Sequence, residues 1–215
     1  MSITIQPRAA LHTVLCLLAL YIPVSAHAAS PLERSVNDKA LGMTLDRSPT
    51  TGFARSVRAD RLQALPTGSS STRPEERARS FLNINRSAFI DDVSPLDLET
   101  VRINELDDVG MSHVRFQQTV HGLRIRGAEV FVHMNDTGVV TVTSKLLPQL
   151  LGIETTPAIS SDAAVEIARA VIGKKYPTRG GSYSTPALEI FDAGLLNDTP
   201  NRPRLAWFIK VNDWR

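Results

Sequence analysis

Between about Leu98 and Leu147, apolar and polar positions alternate with a period of two. In Ser112 to Val120, Val114, Phe116, Gln118 and Val120 point one way, and His113, Arg115, Gln117 and Thr119 the other. Val130, Val132 and Met134 alternate with Glu129, Phe131 and His133, and Val140 and Val142 resume after the turn Asn135-Asp136-Thr137-Gly138. Successive side chains of a strand leave on opposite faces, so this pattern predicts an antiparallel meander with one face buried. Gly122 and Gly127 bracket a short Leu-Arg-Ile-Arg piece, and Gly127 is expected at a bend or bulge.

Helical spacing flanks this stretch. Pro74 fits a first helical turn, where its missing N–H is not needed, with Ser71 or Thr72 as cap and Glu75 and Glu76 beside the positive end of the dipole. Ala78, Phe81 and Leu82 share one face. Between Pro148 and Pro157 lies a connector. Ser160 then caps a second helix, expected to stop at Gly173, with Ala164, Ile167, Ala168, Val171 and Ile172 as its apolar stripe. Ala187 to Phe191 and Arg204 to Val211 read as strands. The fold class expected is α+β, as two small tandem domains, each an antiparallel sheet packed with a helix. The boundaries are 1–28 for an export signal, 29–73 for an arm or linker with one extended piece, 74–147 for the first domain and 148–215 for the second. The second is expected to be incomplete, with an exposed edge, and residues 148–215 are expected to fold poorly alone.

The N-terminus changes the picture of where the protein works. Arg8 precedes the apolar run Val14 to Val24, and Ser25-Ala26-His27-Ala28 offers an Ala-x-Ala cleavage site after Ala28. This is the tripartite pattern of a secretory signal, and it predicts a secreted or periplasmic protein. The competing reading is a retained anchor, although the run is short for a bilayer. Cys16, the single cysteine, lies inside that run, so the processed chain has no thiol for a disulfide, a metal or nucleophilic attack. The formal net charge of +2 falls to +1 when Arg8 leaves with the signal. No basic footprint for nucleic acid or an anionic membrane remains.

Candidate chemistry is sparse. A zincin needs His-Glu-x-x-His on a helix, and that motif is absent. No Gly-x-Ser-x-Gly elbow marks a serine nucleophile. After signal removal His113, His121 and His133 remain. His113 and His133 lie on strands outside the apolar faces and read as solvated, although neighbouring strands can bring them close. Asp91-Asp92 and Asp107-Asp108 have no Ca²⁺-loop spacing and read as turns. Gly122 to Gly127 lacks the Lys-Ser/Thr of a phosphate loop and precedes no helix. Gln118 shares the apolar face and needs backbone partners, while Arg115 and Glu129 can pair across strands. Asn85, Asn135 and Asn197 head Asn-x-Ser/Thr sites, which matter only in a eukaryotic secretory route.

The segment His113-Val114-Arg115-Phe116-Gln117-Gln118-Thr119, then Gly122, then Gly127-Ala128-Glu129-Val130, resembles the FTP (fungalysin/thermolysin propeptide) module. Ser160 to Gly173 and Leu205 to Val211 resemble the helix and a later strand of a PepSY module. In that family the two modules sit in tandem between a signal peptide and a zinc metalloendopeptidase domain. The resemblance implies a non-catalytic pro-region that assists folding of its protease and holds it inactive. The partner is the cognate metalloprotease domain, in cis or in trans, and zinc is expected only in that domain, which is absent here. His113, Arg115, Phe116, Gln118, Gly122, Gly127 and Glu129 carry the motif, as register-fixing residues or as protease contacts. No catalytic, cofactor or metal residue is assigned. Two alternatives stay open: a free-standing secreted protease-binding or inhibitor module, and an enzyme in its own right.

Overall fold

The computed structural model describes residues 42–60, 64–175, 181–199 and 202–213. The expected export signal lies outside the described residues. Among the described residues, no helix is long and apolar enough to cross a membrane.

The elements run β1 Met43–Arg47, β2 Ala54–Ala59, α1 Pro74–Ile84, β3 Leu98–Asn104, β4 Ser112–Val120, β5 Leu123–Met134, β6 Val139–Lys145, α2 Ser161–Lys175, β7 Gly181–Tyr183, β8 Ala187–Phe191, α3 Ala193–Asn197, β9 Arg204–Phe208 and β10 Val211–Asp213. A 3₁₀ turn, Arg86–Ala88, follows α1. The main sheet is antiparallel in the order β1-β2-β6-β5-β4-β3. The predicted meander is present as β3 to β6. The chain is therefore mixed α+β, and mostly sheet.

Residues 43–59 depart from the expected arm. They form a hairpin whose second strand pairs with β6, with Val57 opposite Val142. Met43, Ala54 and Val57 point into the core. The pattern hides this because both strands are short and carry charges on their outer faces, so too few apolar positions alternate to stand out.

α1 lies across the inner face of the sheet. Its Ala78, Phe81 and Leu82 pack with Val114, Phe116, Val130, Val132, Met134, Val139 and Val142 into one buried cluster. Each of these side chains larger than alanine contributes about 1.5–3 kcal/mol of transfer free energy when fully buried. The cap differs from expectation. Arg73 occupies the N-cap without a side-chain bond, and Ser71 Oγ instead accepts the Arg73 N–H at 3.1 Å. Pro74 drives the residue before it to an extended conformation, which moves the cap to Arg73. Arg79 ties α1 to β3, donating to Leu98 O (2.9 Å) and Thr100 Oγ1 (2.7 Å).

A second buried cluster holds Ile90, Val120, Ile125, Ala128, Leu147, Leu150 and Ile190. It joins the meander to the C-terminal region, where β8 meets β5 in parallel at Ile125–Ile190 and pairs with β9. β7 and β10 form a separate two-stranded sheet. The tip of the first hairpin also reaches the C-terminal region. Asp198 accepts from Ser48 Oγ (2.7 Å) and Arg55 Nη1 (2.8 Å), and its carbonyl accepts from Thr50 Oγ1 (2.8 Å).

α2 begins as expected, with Ser160 Oγ accepting the Ala163 N–H at 3.2 Å. It does not stop at Gly173 but continues to Lys175. A Cβ at Gly173 would meet nothing within 4 Å, and a single glycine costs a helix only about 1 kcal/mol. Of the apolar stripe only Ala164 is buried, while Ile167 and Val171 are 55% and 58% exposed. The stripe faces Leu205, Trp207 and Val211 across an open cleft of about 810 Å³.

Candidate functional site

The motif residues divide between the two faces of the meander and the loop that distorts it. β4 and β5 are joined by a two-residue turn, His121-Gly122, closed by Val120 opposite Leu123. Both turn residues have positive φ, 49° and 77°. That is the turn geometry whose twist matches a hairpin, and it explains the glycine. Five residues beyond Gly122, Gly127 at φ 75° opens a wide bulge: Gln117 stands opposite Glu129 while Thr119 stands opposite Arg124. A Cβ on Gly127 would come within 2.9 Å of Leu196 Cδ2, so the position also admits α3 at close range.

The bulge frees backbone carbonyls, and two glutamines collect them. Gln117 Nε2 reaches the carbonyls of Ile125 (2.7 Å), Ala128 (2.8 Å) and Gln118 (3.0 Å), while Gln117 Oε1 accepts from Arg124 Nη2 (3.0 Å). Gln118, fully buried on the inner face, donates Nε2–H to Leu147 O (3.0 Å) and accepts the Leu147 N–H on Oε1 (2.8 Å). These are the backbone partners its position in the sequence demands. The connector after β6 is thereby pinned to β4. Two further bonds hold it, from Leu150 N–H to Ser94 Oγ (2.9 Å) and from Asp91 N–H to Pro148 O (3.1 Å).

Phe116 is fully buried beside Gln118, with the Arg79 guanidinium 4.8 Å from its ring centre. His113, Arg115 and Glu129 lie on the opposite, outer face. Arg115 binds Glu129 as a fork, with Nε to Oε2 at 3.1 Å and Nη2 to Oε1 at 2.6 Å, and its guanidinium lies 5.1 Å from the Phe131 ring centre. This is the cross-strand pair expected from the sequence.

His113 and His133 are direct cross-strand neighbours, Nδ1 to Nδ1 at 2.6 Å. Asp107, in the β3–β4 turn, places Oδ2 2.8 Å from His113 Nε2. Its Oδ1 accepts the N–H groups of Val109 (3.0 Å) and Met111 (2.8 Å). The Met111 N–H first, and His113 second, hold the Asp107 carboxyl below the ordinary carboxylate range. Burial, and then the charge of His113, push His133 below the usual imidazole value. The two strand histidines are thus not separately solvated as the sequence suggests, because antiparallel register puts them face to face. His121 is exposed at the turn and joins neither of them. Among the described residues, no group of three or more His, Cys, Asp or Glu is arranged to hold a metal ion.

Sequence reasoning missed Gln117, Asp107 and Asp198. Gln117 sits at an outer-face position by period two, and only the bulge buries it. Asp107 reads as half of a solvated acidic pair. Its signal was its place at a turn preceding a strand histidine, since Asp side chains bond the backbone two residues on.

An antiparallel meander backed by a helix, with a bulge stapled by amide side chains and a polar, paired outer face, defines an α+β protein built around a rigid sheet surface. Residues 97–144 of that meander match the family model described as the Fungalysin/Thermolysin Propeptide Motif. The motif is that of pro-regions in fungalysin- and thermolysin-type protease precursors, whose propeptide domains associate with their cognate protease domains. All seven motif residues named from the sequence fall within the matched stretch.

Proposed function

We propose that the chain is the pro-region of a secreted zinc metalloendopeptidase precursor, acting as an intramolecular chaperone and inhibitor of its protease domain. The match over residues 97–144 carries this reading. The surface offered to the protease is the outer face of the meander, where the Arg115–Glu129 fork and Phe131 present a fixed array of charge and apolar area. A surface whose side chains are already held in place loses little entropy on docking. It can favour one packing of a folding intermediate over others by differential binding. In this reading residues 148–215 are a PepSY-like unit, the zinc belongs to the partner's own His-Glu-x-x-His, and the pro-region reaches its protease after export.

The test is refolding in trans. A thermolysin-type zinc protease domain is denatured and diluted with or without the purified chain. The expected result is faster recovery of folded protease with the chain present, together with suppressed peptidase activity until the chain is cleaved. No effect on refolding and none on activity at micromolar concentration would refute the proposal. Inhibition without any gain in refolding would favour the free-standing inhibitor instead.

A further inference from the structure

His113 and His133 present two imidazole nitrogens to each other at 2.6 Å, with ring planes at 72°. Two lone pairs at that separation repel unless one cation lies between them, a proton or a metal ion. Asp107 decides which His113 nitrogen carries the ring proton. Its carboxylate is fixed by two backbone N–H groups and stands 2.8 Å from Nε2, so the proton belongs there and Nδ1 keeps its lone pair. A histidine whose second nitrogen donates to a carboxylate is oriented as metal-bound histidines are. The pair is reachable from solvent, since the His113 side chain is 31% exposed. Its cross-strand flanks, Asn104 opposite His113 and Thr141 opposite His133, are uncharged.

We propose that His113 and His133 form a site for one divalent ion of the zinc class, bound through both Nδ1 atoms, with Asp107 as the orienting carboxylate. Imidazole nitrogen suits Zn²⁺, Cu²⁺ and Ni²⁺ over the oxygen-seeking Mg²⁺ and Ca²⁺. Bond lengths of about 2.0–2.1 Å at a tetrahedral angle place the two nitrogens about 3.4 Å apart, a separation that ring rotation can supply without moving a strand. The proton balance closes. The proton shared by the neutral pair moves to His133 Nε2, and no proton is lost; a singly protonated pair releases one. Two protein ligands leave two positions for water or for a donor from a bound partner. The proposal stands whether or not the chain serves a protease.

The experiment titrates the full chain, made without a histidine tag and stripped of metal, with ZnCl₂ alone by isothermal calorimetry. In parallel, imidazole resonances are followed by NMR. One saturable site with a micromolar Kd is expected, with the His113 and His133 rings shifting together before those of His12, His27 and His121. The double variant His113→Gln, His133→Gln should lose that site, and Asp107→Asn should weaken it about tenfold. Circular dichroism checks that each variant is folded. Should the double variant fail to fold, the order of ring shifts in the unmutated chain decides. Absence of saturable binding below about 1 mM, full binding by the folded double variant, or prior shifts at His121 would overturn the proposal and leave a proton-bridged pair only.

Discussion

Replacing Gln118 with leucine tests how the meander is locked to the rest of the molecule. Leucine keeps the approximate volume of the side chain but removes both bonds to Leu147, at 3.0 and 2.8 Å. The Leu147 N–H and C=O then lose the amide that satisfies them in a buried setting, with Leu147 itself 8% exposed. Each stranded group costs about 1–3 kcal/mol, so the pair costs about 2–6 kcal/mol. Leucine's greater hydrophobicity returns part of this, since a buried leucine contributes about 1.5–3 kcal/mol. The net expectation is a loss of about 2 kcal/mol. Urea unfolding followed by far-UV circular dichroism reads it directly, and with a slope of about 2 kcal/mol/M the midpoint falls by about 1 M. A midpoint shift under about 0.3 M with an unchanged slope would refute the reasoning, because it would mean that the connector meets its needs without Gln118.

Gly127→Ala places a Cβ at φ 75° and 2.9 Å from Leu196 Cδ2, and urea unfolding should show a loss of about 1–2 kcal/mol, of which Leu196→Ala recovers only the steric part. A double-mutant cycle on Arg115→Ala and Glu129→Ala should give a coupling of about 0.5–1 kcal/mol that shrinks in high salt, since the side chains are 40% and 22% exposed. Glu75 is held below its ordinary value of 4.5, first by the Thr100 hydroxyl and then by Arg79. A depressed folded value means that its contribution is complete above about pH 4.5 and disappears as pH falls through the lower folded value. Thermal midpoints recorded through that window should decline with acid, and Glu75→Gln should make the decline shallower.

The four-strand meander was legible because its alternation is long, and long alternation forces one face inward. The Arg115–Glu129 pair followed from the same pattern, since both residues fall outside the apolar face. What period two cannot represent is a change of register. The bulge at Gly127 inserts extra residues on one strand, buries Gln117 from a nominally outer position and gives it the freed carbonyls. The hairpin at residues 43–59 stayed hidden for a different reason: its short strands carry few apolar positions, and their pairing is decided by a sheet far away in sequence. The α2 stripe was read correctly as apolar, but whether a stripe is covered depends on what the strands opposite it do. The meeting of His113 and His133 required the register of β4 against β5, which no spacing along one strand supplies.

The clamp on Asp198 reaches back 150 residues to Ser48. A ribosome delivers the chain from its N-terminus, so the first hairpin emerges long before the carboxylate that holds its tip. Until then the turn between its two strands has nothing to grip. The early protein is therefore a sheet with one loose corner, and a stretch made much later is the one that fastens it.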